Sequence, residues 1–255
     1  PLSFTMRSGL LCPKFFFTLQ QGPAMFRSLA SAASLIALAA PALAQTPLEQ
    51  ALAASADGPL YTYDVSLSTG EVDALMRVDP SHPEGERLSV VSPSPDSWSG
   101  KFARRVENMK ANTDGDIWCQ DLADHIPADA SLVSETDSTA TYSFEPQPGA
   151  EPNDMDKVYK HLTGTVIVDK VSPAILKYQL VAKKPFKPMA AAKISQFEMK
   201  IACARAPDGR THVASLDLDL KGSAMMQSFS QSDRQRISNL QAISQPAPES
   251  GTGTR

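Results

Sequence analysis

The stretch Ile175-Leu176-Lys177-Tyr178-Gln179-Leu180-Val181-Ala182 alternates apolar and polar residues. So do Phe197-Glu198-Met199-Lys200-Ile201-Ala202-Cys203 and Ala214-Ser215-Leu216-Asp217-Leu218-Asp219-Leu220-Lys221. Successive side chains on a strand point to opposite sides, so each stretch has one apolar and one mostly polar face. With residues 162–169 ahead of them they give four strands within residues 162–226. The connections are a turn ending at Pro173, a wider loop Lys184-Pro185-Phe186-Lys187-Pro188 that presents one exposed aromatic, and the turn Pro207-Asp208-Gly209. Short connections between successive strands imply an antiparallel meander.

Upstream, residues 60–69 place Tyr61, Tyr63, Val65 and Leu67 on one strand face, and residues 72–79 do the same with Val72, Ala74, Met76 and Val78. Thr69-Gly70-Glu71 joins them as a hairpin. Shorter strands are expected at 88–91, 132–133 and 139–145, and an exposed loop at 146–156; residues 117–119 read as a strand or the start of a helical turn, with the strand favoured. Two segments change period. Thr46-Pro47-Leu48-Glu49 has the form of a capping box with Pro at the first helical position, and Gly58-Pro59 is a stop signal. Residues 98–110 carry Phe102, Val106 and Met109 at helical spacing behind Ser99, with Lys101, Arg104 and Arg105 on the other face. Ile237, Leu240 and Ile243 suggest a further short helix over 232–243, ahead of a disordered Pro/Ser/Gly/Thr tail. The fold expected is mainly β with short helices (α+β): a curved antiparallel sheet or half-barrel with one or two helices packed on it. One β-rich domain would occupy residues 45–230, followed by the short helix and tail over 231–255.

Residues 25–44 have the three parts of a secretory signal peptide: Met25-Phe26-Arg27, an apolar alanine-rich run, and Pro41-Ala42-Leu43-Ala44 as the cleavage site. The apolar run falls short of the roughly 17–25 residues that span a bilayer, so no transmembrane helix is expected after signal removal. Residues 1–24 read as sequence ahead of the true start, and the destination expected is the periplasm. In an exported chain Cys119 and Cys203 are expected to form a disulfide.

Charge is unevenly placed. Residues 45–156 hold 21 acidic and 6 basic side chains, whereas 157–210 hold 3 acidic and 11 basic. The acidic balance overall disfavours general nucleic-acid binding. The basic strand face of Lys177, Lys183 and Lys200 could meet an acidic partner or anionic headgroups, or complement the acidic half of the same molecule.

Motifs for chemistry are sparse. There is no Gly-x-Ser-x-Gly elbow, glycine-rich phosphate loop or dinucleotide fingerprint. His82, His125, His161 and His212 lack metal-ligand spacing, and the acidic run from Asp114 to Asp124 does not satisfy a calcium loop. Asp217 and Asp219, roughly 7 Å apart along one strand face, read as a solvated pair. No catalytic residue, metal or cofactor is therefore nominated. The apolar residues Tyr61, Tyr63, Leu67, Met76, Leu176, Tyr178, Leu180, Phe197 and Met199 either line a cavity for an acyl chain or apolar peptide, or fill a core.

A signal peptide is followed by the helix Leu48-Glu49-Gln50-Ala51-Leu52, a hairpin over 61–78, and then Gly164-Thr165-Val166-Ile167-Val168-Asp169 leading into Ile175-Leu176-Lys177-Tyr178. This order of elements resembles the LolA/LolB-like superfamily of periplasmic lipoprotein carriers over most of residues 47–226. The resemblance implies an antiparallel half-barrel lidded by helices, with a lipid or a lipoprotein's acyl chains in its cavity. The functions to weigh are thus a carrier or sensor of a lipid, acyl chain or lipidated ligand, and a non-catalytic envelope interaction protein with a filled core and a basic docking face.

Overall fold

In the computed structural model, which describes residues 45–149 and 155–243, Thr46 caps the first helix, α1 (Pro47–Leu52). Its hydroxyl accepts from the Glu49 amide, and the Glu49 carboxylate takes the Thr46 amide in return. The helix ends at Ala53, before Gly58-Pro59. Strands β1 (Tyr61–Ser68), β2 (Asp73–Val78) and β3 (Leu88–Ser92) follow. Helix α2 (Gly100–Asn112) is capped by Ser99 as expected. Of the two readings of residues 117–119, the helical turn holds from Cys119, which opens a 3₁₀ stretch over Cys119–His125, while the strand reading survives only as a single bridge between Trp118 and His212. Next come β4 (Ser131–Glu135), β5 (Thr139–Phe144), the one-turn α3 (Asp156–Tyr159), β6 (Leu162–Asp169) and β7 (Ala174–Ala182). The chain closes with β8 (Phe186–Met189), β9 (Ala192–Arg205), β10 (Thr211–Ala224) and β11 (Gln227–Ala242). The signal-like stretch 25–44, residues 1–24 and the tail beyond 243 lie outside the described residues.

The strands form one open, curved antiparallel sheet in the order β3-β2-β1-β11-β10-β9-β7-β6-β5-β4, with β8 added beside β9. The fold class is the one expected. The last strand departs from expectation: residues 232–243 are no helix but most of β11, which pairs with β10 along one edge and β1 along the other. The misleading signal has a physical origin. Tyr63 of β1 stands opposite both Asn239 and Leu240, because the register slips by one residue there, and Asn239 takes a positive φ of 57°. Such a bulge shifts the side-chain phase, so Ile237 and Leu240 reach the same side three residues apart, as they would on a helix.

A second bulge corrects the reading of β7. Ile167 pairs with Lys177 but Val168 pairs with Ile175, so Leu176 is left over and half-buried while Ile175 takes the core position. Phe186, expected in an exposed loop, is buried in the short β8 and stacks on His161 with ring centroids 4.5 Å apart. Gly164 permits another close packing. A Cβ there would lie 2.3 Å from the Phe144 ring, which crosses the strand to meet Tyr178 at 5.7 Å.

Helices α1, α2 and α3 and the 3₁₀ stretch over Cys119–His125 sit on one side of the sheet, here called the inner face. Leu48 and Ala51 of α1 and Leu122 of the 3₁₀ stretch bury against Tyr142, Val166, Tyr178, Leu180 and Ile201. Phe102, Val106 and Met109 of α2 bury against Val65, Leu67, Met76, Val78 and Ile237. Cys119 and Cys203 form the expected disulfide, tying the 3₁₀ stretch to β9 across a sequence separation of 84 residues. Replacing both cysteines by serine should lower the unfolding free energy by about 2–5 kcal/mol, because closing so long a loop restricts the unfolded chain. Denaturant titration of the variant beside the oxidised protein measures it, and equal midpoints would contradict it.

Asp64 sits beside the β1–β11 bulge. It accepts from Arg77 at 2.7 Å and from Asn239 at 2.7 Å, and these two bonds hold its carboxyl below the ordinary 3.8. A carboxyl depressed on folding contributes stability that is present above its unfolded pKa and lost as pH falls through the folded one. The protein should therefore lose stability as pH falls below about 4, and Asp64→Asn should flatten that part of the profile. Thermal midpoints of both proteins from pH 6 to pH 2 test this; parallel curves would contradict it.

Candidate functional site

Cross-strand pairing traces the inner face residue by residue through the middle of the sheet. One row runs Leu180, Met199, Leu218, Asp233; the next runs Tyr178, Ile201, Leu216, Gln235, Leu67. Each row is apolar on β7, β9 and β10 and turns polar on β11. The second row is apolar again on β1. The interior is thus two apolar clusters separated by a polar seam of Gln231, Asp233 and Gln235.

Asp233 is the centre of the seam. It is 3% exposed and accepts from Arg105 of α2 at 2.8 Å and from Gln231 at 2.8 Å. A buried carboxylate is tolerated only when paired and hydrogen-bonded. Arg105 therefore turns toward the sheet and anchors α2 over β11, rather than standing on the outward basic face that the spacing of Lys101, Arg104 and Arg105 suggests. Nothing in the local sequence marks Asp233: it lies in the Ser- and Gln-rich run that reads as helix and tail.

The helical cover is incomplete between these clusters. Helix α1 lies on β5, β6 and β7, the 3₁₀ stretch on β7 and β10, and α2 toward β3. Met199, Leu216, Leu218 and Phe229 lie between them and are only half-buried, packed by one side against the larger cluster. They form an apolar strip, bordered by the seam, on β9, β10 and the start of β11. Of these four only Met199 was nominated from sequence. Leu216 and Leu218 stood in a recognised apolar row, but their partial exposure depends on where the helices land.

The other nominated residues are dispersed. Tyr63, Leu67 and Met76 are buried under α2, Tyr178, Leu180 and Phe197 belong to the cluster under α1, and Tyr61 packs on Trp118 in a third, small cluster. The structure does not bring them into one chamber. Among the described residues two open grooves stand out: about 440 Å³ beside Leu67, Ala74, Ser92 and Arg236, and about 470 Å³ beside Ala130, Ser143, Glu145 and Lys183.

No family model, curated protein or solved structure matches the chain. What it can do must be read from its own chemistry. Among the described residues no group of three or more His, Cys, Asp or Glu is placed to hold a metal ion. No helix there is long and apolar enough to cross a membrane. Burial pushes the Tyr159 phenol up to about 12, with Asp156 adding to it, and pushes Tyr178 up further. Both stay neutral at ordinary pH.

The outer face is charged but compensated. Lys200 pairs with Glu198 at 2.8 Å, Arg234 with Asp219 at 2.8 Å, and Arg236 with Asp217 at 2.6 Å. Hydrogen bonds from Ser232 first, then Arg234, hold the Asp219 carboxyl below its ordinary value. Asp217 and Asp219 are therefore ion-paired rungs rather than an acid–base couple. Lys177 is exposed on this face, and Lys183 lines the groove beside Glu145.

The seam makes a distinct prediction. Arg105→Met should destabilise the protein by about 3 kcal/mol, because it strands a buried carboxylate. Arg105→Met with Asp233→Leu should recover most of that loss, since the double change joins the two apolar clusters. Urea midpoints for wild type, single and double variants decide it; a double variant as unstable as the single would sink the pairing argument.

Proposed function

We propose that the protein is an exported, non-catalytic binding protein that takes up an acyl chain of a lipid or lipidated ligand along the inner face, as a carrier or sensor. The observation that carries this reading is the half-buried strip of Met199, Leu216, Leu218 and Phe229, left open between α1 and α2. An acyl chain laid on it would replace water over apolar surface, at about 25 cal/mol per Å² buried. Gln231 and Gln235 on the adjoining strand would offer hydrogen-bonding groups to a polar head. The disulfide supports export, since such bonds persist in oxidising compartments. The well-filled clusters favour a second reading, an envelope interaction protein that binds no cargo.

Native mass spectrometry of the protein taken gently from its own compartment, followed by solvent extraction, separates the two. A stoichiometric lipid adduct is expected. Met199→Gln with Leu218→Asn should reduce loading about tenfold, equivalent to roughly 1.4 kcal/mol of lost contact, with the fold retained. A clean unliganded mass, together with no uptake of an added fluorescent fatty acid, would leave the interaction-protein reading in its place.

A further inference from the structure

The long hairpin of β10 and β11 ends in Met225 and Met226, which are 62% and 100% exposed. Ala224 pairs with Gln227, so the two methionines alone make the turn, and both have positive φ, 49° and 66°. A two-residue turn of this kind favours Asn-Gly or Gly-Gly, because a side chain crowds the backbone in the left-handed region. Every other described residue with a left-handed φ is a glycine or asparagine. Large apolar side chains at strained, exposed positions contradict the local rule, and such conflicts concentrate where the chain has a task.

The turn does not stand alone. Met225 donates its amide to the Ala191 carbonyl at 3.0 Å, Ala192 pairs with both Ala224 and Met189, and Met189 is 50% exposed. The ends of β8–β9 and β10–β11 thus form one tip of three methionines and small alanines. Exposed lysines surround it: Lys187, Lys193 and Lys221. Lys193 is opposite Ser223, and Lys221 lies two residues further back, so they stand roughly 7 and 13 Å behind the methionines by strand rise. No acidic residue occurs in 184–197 or 220–232. These three lysines form no ion pair with a described residue, unlike Lys200 on the strand face behind them.

We propose that this tip docks on a bilayer surface bearing anionic headgroups, with Met189, Met225 and Met226 entering the acyl boundary and the lysines on the headgroups. A protruding point buries far less than the roughly 800 Å² per partner of a stable protein interface, but it suits a fluid apolar layer. Methionine adapts to irregular surroundings, and lysine stems can cover apolar surface while the ammonium stays at the polar level. This contact goes beyond cargo binding and is read without any cargo, so it stands or falls separately from the carrier proposal.

The test is flotation of the full chain with vesicles of phosphatidylcholine alone or with a third of phosphatidylglycerol. Any contribution of residues 1–44 is then common to wild type and variants. Met225→Asn with Met226→Gly gives the turn its preferred residues and removes the apolar point, so folding is retained or improved. Wild type should bind the anionic vesicles at least tenfold more tightly than the neutral ones. The turn variant should lose at least tenfold on anionic vesicles, as should Lys187→Gln with Lys193→Gln and Lys221→Gln. Equal binding of wild type and turn variant would overturn the proposal, as would equal binding to both vesicle types. Tip-dependent self-association without vesicle binding would also overturn it and assign the tip to a second copy of the chain.

Discussion

The two ladders of backbone hydrogen bonds along β11 make one sheet out of what would otherwise be two. On one edge β11 pairs with β10 from Ser215 to Ala224; on the other it pairs with β1 from Tyr61 to Ser68. Without it β1–β3 and β4–β10 would each have a further open edge of unpaired amides and carbonyls, which are unfavourable to bury and prone to misassociation. The joining strand is also the most polar one on the inner face. It therefore settles the division of the interior: apolar rows from β7, β9 and β10 stop where Gln231, Asp233 and Gln235 begin. The position of α2 follows from the same constraint. Apolar contact through Phe102, Val106 and Met109 holds one side of this helix, and Arg105 satisfies the buried Asp233 on the other. Cover over the inner face is set in part by a charge pair rather than by apolar packing alone.

Much of this was legible in the sequence. Strict alternation identified β1, β2, β6, β9 and β10, and capping residues located α1 and α2, because in these segments local preference and tertiary environment agree. The failures have particular causes. Bulges at Leu176 and at Asn239 shift the phase of a strand in mid-course, and a period-two reading has no means of anticipating a shift created by the partner strand. Phe186 is buried because His161 and β9 lie beside it, contacts that a Pro-flanked pentapeptide does not reveal. The candidate site was legible only as a set of apolar residues. Which of them share a cluster, and which remain half-covered, depends on where short helices dock on the sheet.

The disulfide shows how these levels combine. Cys119 opens a 3₁₀ stretch of seven residues, and Cys203 lies near the end of β9. The covalent link fixes this short segment over β7 and β10, so the cover on that side does not depend on a long helix. At the other side α2 has thirteen residues and its own cap. The inner face is therefore held at both flanks by different means, and neither extends over Met199, Leu216 and Leu218.

Two features go against local preference: a carboxylate in the interior and a pair of methionines in a turn built for glycine. Simple replacements would satisfy the local rules in both places, an apolar residue at Asp233 and Asn-Gly at the turn, so stability alone does not account for them. One lies on β11 and the other in the turn that leads into it, and they bracket the same region. Asp233 borders the open strip on β10, Phe229 lies between it and the turn, and Met225 and Met226 form the exposed end. A Cβ on Gly222 would meet the Phe229 ring at 2.7 Å, so the ring lies close over the backbone of β10. The uncovered strip and the exposed methionines thus lie toward the same end of β10 and β11, separated along the chain by Gln227 and Ser228, and the two departures from local preference fall on either side of Phe229.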